Sequence, residues 1–237
     1  MFLENIIDST PCFFGFLIFI TAVAVFHYLM NRTKGLGEFS VGISHRDLYA
    51  FVLIQVPLTA AMAYLAMAFG QGLIYVSGNP VYWIRYFEWA LTTPILILGL
   101  MILTQRAQLT KGMMVSSFFM ILFGFLSVIT TSLLSFGFFA LSSFFFILIL
   151  YGVVSSTGIV VKERPKPIAD IYRRMRNIVI VVWSAYPFIY LLGQHGIGYL
   201  TFNQSNFAFM VMDVVAKVGF ASVIVYSMNR VDKFELD

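Results

Sequence analysis

The chain has 237 residues, of which 60% are hydrophobic and 11% charged, and its mean hydropathy is +0.89. A soluble domain carries roughly a quarter charged residues and cannot hide so much apolar surface, so an ordinary water-soluble fold is excluded. The formal charge of +4 says little about nucleic-acid binding, and none is expected, because basic loops on one face of a membrane protein already account for it.

The start, MFLENIIDST, has neither a basic stretch nor a small-residue cleavage site, so it reads as a short exposed end and not as a signal peptide. Apolar runs follow near 10–30, 48–70, 80–103, 111–133, 138–160, 176–194 and 204–228. About 20 residues at 1.5 Å rise cross a hydrocarbon layer about 30 Å thick, so each run is long enough to span it. The prediction is an all-α membrane protein, a seven-transmembrane helix bundle forming one domain over 1–237, multi-pass in the cell membrane and surrounded by lipid. Cys12, in the first run, is the sole cysteine; it excludes an intrachain disulfide, offers no metal-site spacing and reads as a small buried hydrophobe. The breaks are NRTKGLGEFSVGISHRD, GQGLIYVSGNP, TQRAQLTKG, a tight SFG turn at 135–137, VKERPKPIADIYRRMRN and GQHGIGYLTFNQSN.

Every loop Lys and Arg, from Arg32 and Lys34 to Arg230 and Lys233, falls in the first, third or fifth connection or in the tail. The positive-inside rule therefore places the N-terminus outside and the C-terminus in the cytoplasm. Pro57, Pro94 and Pro187 lie inside the second, third and sixth spans, where each removes a backbone hydrogen bond and favours a kink.

Four charged side chains remain deep within spans: Arg85, Glu88, Asp213 and Lys217. An unpaired charge is strongly disfavoured there, so each is a functional candidate. Arg85 and Glu88 are three apart and Asp213 and Lys217 four apart, so each pair shares a helix face and the set can neutralise itself. Two structural ion pairs are the plainer alternative. A buried lysine is also the group that forms an imine with an aldehyde cofactor, and the resulting cation needs a counter-charge. Asp213 and Glu88 can supply it, with Thr92, one turn beyond Glu88, donating a hydrogen bond to that carboxylate. GFFALSS and GQHGIG are loose motif matches without strand-turn-helix context, and no enzyme active site or metal site is expected.

RYFEWALTTPILI, residues 85–97, resembles the third helix of the microbial rhodopsins, and FMVMDVVAKVGF, residues 209–220, resembles their seventh. WSAYPFIY, residues 183–190, is similar to their retinal-lining sixth helix, GQHGIGYLTFNQ to the loop after it, and VPLTAAMAYLAM, with Pro57 and Tyr64, to their second helix. The resemblance implies all-trans retinal bound covalently to Lys217 as a protonated Schiff base and isomerising in light to the 13-cis form. It also implies Glu88 and Asp213 as counterions, Glu88 as proton acceptor, and Arg85, Thr92 and Tyr64 in the charge network. Trp89 and Trp183 would sandwich the polyene, with Tyr86, Thr93, Tyr186, Pro187 and Tyr190 around it. Phe139 and Ser142 match pocket positions of the fifth span, and Met120 and Gly124 those of the fourth. Relatives usually form trimers or pentamers.

Where outward pumps of this family carry a cytoplasmic proton donor, this chain has Gly99, which cannot hold a proton. Glu38, Asp47, Glu163 and Asp170 read as loop residues, so reprotonation is expected to be slow. His195 and Ser205 stand where the best-studied pumps have a proton-releasing glutamate pair. The expectation is a slow light-driven outward proton pump. A sensory photoreceptor acting through a separate partner is the alternative, and a light-gated ion channel stands behind both.

Overall fold

The computed structural model describes residues 7–32 and 45–231. Glu38, Lys34 and Lys233 lie outside the described residues, as do the side chains of Arg46 and Arg230. Among the described residues, seven helical segments are long and apolar enough to cross a membrane. They comprise α1 (Thr10–Met30), α2 (His45–Ala68), α3 (Trp83–Met101), α4 (Ala107–Ile129), α5 (Leu134–Glu163) and α6 (Lys166–Leu192). The seventh span is composite: α7 (Phe202–Val214), a π-helical turn (Val215–Gly219) and α8 (Phe220–Val231). Pro57, Pro94 and Pro187 all sit inside helices.

Three local features depart from the expected boundaries. The second connection folds into a hairpin of β1 (Leu73–Val76) and β2 (Asn79–Tyr82), with Leu73 opposite Tyr82 and Val76 opposite Asn79. Its two turn residues, Ser77 and Gly78, both have positive φ, at 50° and 84°, the geometry that matches the twist of a two-residue hairpin. The turn expected at 135–137 lies earlier, because Thr130 leaves the helix in an extended conformation and residues 135–137 open α5. There the Ser135 hydroxyl donates to the Ser127 carbonyl at 2.7 Å and the Leu134 amide donates to the Ser132 hydroxyl at 3.3 Å.

The basic stretch VKERPKPIADIYRRMRN is also mostly helical. α5 continues to Glu163, only Arg164 and Pro165 intervene, and α6 starts at Lys166 with Pro167 in its first turn. Thirty residues make α5 about 45 Å long, beyond an apolar layer of about 30 Å, so its polar end projects from the bilayer. Glu163 and Asp170 are consequently helix-end residues and not loop residues. Glu163 accepts from Arg106 at 2.9 Å and Asp170 from Arg173 at 2.6 Å, both pairs being solvent-exposed. Asp47 stands in the first turn of α2.

Two apolar clusters hold the bundle together. The larger joins Val52, Leu53, Leu100, Tyr172, Met175 and Phe220 near the basic helix ends; the smaller joins Cys12, Phe19, Tyr64, Met67, Tyr82 and Met210 near the hairpin. Gly15 in α1 is required for this second cluster, because a Cβ there would run into the Tyr64 ring. The charged residues of α3 and the seventh span sit where the clusters meet, with Gly99 buried beyond them among Val52 and Phe220.

Candidate functional site

Lys217 is the middle residue of the π turn and is 3% exposed. A π turn re-aims the side chains of a helix by one position, and such turns recur at functional sites. The Lys217 Nζ donates to Glu88 Oε2 at 2.8 Å and lies 3.1 Å from Asp213 Oδ1, so one buried cation faces two buried carboxylates.

The carboxylates are held differently. Asp213 Oδ2 accepts from the Tyr64 hydroxyl at 2.7 Å, and its Oδ1 accepts from the Trp89 indole at 2.9 Å and the Tyr186 hydroxyl at 2.8 Å. Among the described residues, Glu88 Oε1 accepts only from the Thr92 hydroxyl, at 2.9 Å, and its Oε2 only from Lys217. The Thr92 contact follows from the four-residue spacing along α3. Those made by Tyr64, Trp89 and Tyr186 come from three helices, and no spacing along one helix could have revealed them.

Arg85 does not pair with Glu88, although the two share a face of α3. Helical side chains lean toward the N-terminus of their helix, so the long guanidinium points away from Glu88. Its Nη2 donates to Asn206 Oδ1 at 2.5 Å, and it sits near the rings of Tyr64, Tyr82 and Phe209, 5.3 Å from the last. Asn206 in turn donates to the Cys12 sulfur at 3.4 Å. Neither Asn206 nor Cys12 stands out in the sequence as a site residue, because an amide and a thiol carry no formal charge.

A cavity of about 120 Å³ begins at Lys217 and Asp213 and runs between α3, α4, α5 and α6. Tyr86, Trp89, Thr93, Met120, Gly124, Phe139, Ser142, Trp183, Tyr186, Pro187 and Tyr190 line it, and so do Leu96, Ile121, Ser143, Phe146, Phe209 and Ala216, which the sequence reading did not single out. The Trp89 and Tyr186 rings meet edge to face at 5.1 Å, and Phe139 stacks on Tyr190 at 4.8 Å. The Tyr190 hydroxyl bonds Ser127 at 2.5 Å, while Ser142 donates to the Met120 carbonyl at 2.7 Å. A room walled by aromatic and aliphatic side chains, with an amine and two carboxylates at one end, suits an apolar aldehyde that forms an imine.

Beside Gly99, the space where a side chain would begin is bounded by Val52 and Phe220, and Tyr49 donates to the Gly99 carbonyl at 3.3 Å. Among the described residues, the buried charged side chains are Arg85, Glu88, Asp213 and Lys217. None of these is a carboxylate near Gly99.

His195 and Ser205 lie together at the far end of the bundle, lining a second, smaller cavity with Arg85. His195 is half-buried in the connection after α6, its imidazole hydrogen-bonded to the Pro80 backbone, and burial holds its pKa below the ordinary 6.5. An unfolded chain then takes up the proton at higher pH than the folded one. The stability contributed by neutral His195 is complete above the ordinary value and is lost as pH falls from there toward the lower folded pKa. Replacing His195 with Gln should flatten the thermal midpoint's decline below about pH 6.5, and an unaltered slope would exclude this role.

A family model described as bacteriorhodopsin-like protein matches residues 13–231. The chain is 34% identical over 194 residues to Archaerhodopsin-3 of Halorubrum sodomense, covering 78% of this chain and 75% of the relative. It is also 34% identical over 179 residues to Sensory rhodopsin-2 of Haloarcula vallismortis, covering 75% and 76%. The crystal structure of thermophilic rhodopsin from Rubrobacter xylanophilus superimposes with a TM-score of 0.85 at 28% identity, over 93% of this chain and 96% of that one.

Proposed function

Because the chain belongs to the bacteriorhodopsin-like family, and is thus a retinal-binding, multi-pass membrane photoreceptor protein and not an enzyme, we propose that it is a slow light-driven outward proton pump. All-trans retinal, held on Lys217 as a protonated Schiff base, supplies light absorption and an isomerisation that changes the proton affinity of the lysine nitrogen. Everything else falls to the chain's own side chains.

The observation that carries this reading is the unequal solvation of the two carboxylates around Lys217. Taking up a proton turns a carboxylate oxygen from an acceptor into a donor. On Asp213 that would conflict with the three hydroxyl and indole donors already aimed at it. On Glu88 it would fall at Oε2, whose only partner is the group giving the proton away. Glu88 is therefore the acceptor and Asp213 the standing counter-charge, while Thr92 orients Glu88 and the aromatic shell keeps water from the nitrogen. Arg85, bound to Asn206 and not to a carboxylate, is the mobile cation that responds when Glu88 is neutralised.

With the basic helix ends in the cytoplasm and the hairpin outside, a proton moving from Lys217 to Glu88 moves outward. Among the described residues no buried carboxylate near Gly99 can return a proton from the cytoplasm, so the proton comes through water and its return limits turnover. Gly99→Asp tests this, since an added Cβ meets only ordinary contacts of 3.4 to 3.6 Å with Val52 and Phe220. Its late photocycle should accelerate by about a hundredfold or more, the smaller end of what a positioned acid supplies. An unchanged decay would place the slow step elsewhere.

The same vacancy favours a second reading, a sensory photoreceptor whose long-lived state signals to a separate membrane partner. Light-induced pH change in an unbuffered suspension of expressing cells separates the two. Sustained acidification removed by a protonophore establishes pumping, whereas a coloured, cycling protein that moves no protons is the sensor. Assembly into a homo-oligomer, a trimer or pentamer, belongs to the same proposal and is read from the mass of the detergent-solubilised particle.

A further inference from the structure

We infer that the second cavity, between Arg85 and the connection after α6, is a binding site for one small monovalent anion of the halide class, chloride being the natural probe. The cavity is about 50 Å³, and Arg85, Tyr86, Gly193, His195, Ser205 and Asn206 are among its walls. Among the described residues, no carboxylate lines it.

Two buried polar atoms in these walls lack a partner among the described residues: Arg85 Nε and Ser205 Oγ. Arg85 is 5% exposed and Ser205 9%, so bulk water does not reach them freely. Among the described residues no carboxylate oxygen comes within 4.0 Å of the Arg85 guanidinium, which donates to the neutral Asn206 amide. Asp213 cannot turn to it without abandoning the donors that hold both of its oxygens. A buried guanidinium with no counter-charge in contact is strongly disfavoured, and an unpaired buried donor adds to that penalty. Water could satisfy the two donors but would bring no charge. A halide does both, accepting from Nε–H and from the Ser205 hydroxyl while neutralising the cation.

Size limits the occupant. A buried water needs about 10–15 Å³ of such space, so there is room here for a monatomic ion together with a few waters. Phe202, Phe209 and Val128 close the remaining wall and favour an anion that sheds its hydration readily. Gly193 keeps the serine free to face inward, since a Cβ there would sit 3.1 Å from Ser205 Oγ. The site is separate from the Lys217 carboxylates, so binding here implies no chloride transport. Because Tyr86, Tyr190 and Phe209 line both cavities, occupancy will also be felt in the pigment's colour.

The inference is independent of pumping and is measured without light. Purified full-length protein is titrated with potassium chloride against potassium gluconate at constant ionic strength, and chloride NMR line width is followed with thermal midpoint. The wild type should broaden the chloride signal saturably. Ser205→Ala should weaken the affinity about tenfold, the value of one charge-assisted hydrogen bond. Ser205→Glu should abolish binding, because its carboxylate takes the place of the anion beside Arg85. Broadening that never saturates in the wild type, an affinity untouched by Ser205→Ala, or saturable binding that survives in a folded Ser205→Glu protein would each overturn the site and leave water as its occupant. If Ser205→Glu does not fold, the Ser205→Ala affinity decides alone.

Discussion

Lys217→Ala should abolish visible absorption when the protein is expressed with retinal, because the amine at the end of the cavity is gone and no imine can form. The effect is all or none in colour, and it also reaches the fold. Removing the lysine leaves Glu88 and Asp213 facing one another at a site that is almost wholly buried, and breaking a buried pair from one side costs about 3–5 kcal/mol. The double variant Lys217→Ala with Glu88→Gln removes one of the stranded charges and should regain most of that loss, which separates failed attachment from failed folding. Supplying a preformed imine of retinal with a small alkylamine to the alanine protein should restore colour, since the aromatic walls are intact. A coloured Lys217→Ala protein without that addition would sink the attachment.

Glu88→Gln is the second large effect, and it bears on the assignment of acceptor against counter-charge. The amide has nearly the same volume and can still meet Thr92, so the change removes charge and proton affinity while sparing the packing. With one anion gone at 2.8 Å from the lysine nitrogen, the positive charge is held less tightly and absorption moves to the red. Light-driven acidification should fall by about a hundredfold or more, in keeping with the loss of a general base. Wild-type colour should change with pH as Glu88 takes up a proton, and the Gln variant should show no such change. If the colour of Glu88→Gln titrates as the wild type does, Asp213 is the group that protonates and the roles assigned here are exchanged.

The hydropathy pattern and the placement of charges carried a large part of this structure. Seven apolar runs, the three in-span prolines and the four buried charges are all visible along the chain, because the membrane demands each of them residue by residue. Lys217, Asp213 and Glu88 could be selected before any helix was packed, since few groups other than a functional charge survive at that depth. The Thr92 contact with Glu88 was equally legible, as both lie on one helix at a spacing that must bring them together.

The same rules fail where polarity and periodicity are poor guides. The hairpin at 73–82 reads as a simple break because each strand is only four residues long and its signal is one Ser-Gly turn. The helical extension of α5 and α6 into the basic connection is not legible in the sequence, because polar residues there mark the membrane boundary and not the helix boundary. The π turn at Lys217 left no compositional trace.

By itself, then, the sequence determined the number of spans, the charges that must be buried and the lysine available for an imine, since burial in lipid restricts residue type at each position independently. Only the tertiary structure decided how those charges are shared: that Asp213 is saturated by Tyr64, Trp89 and Tyr186, that Glu88 is not, and that Arg85 turns to Asn206 and a carboxylate-free cavity. The reason is that a hydrogen bond between helices depends on their relative rotation and depth, which are set by packing of whole faces and not by the spacing of residues along any one of them.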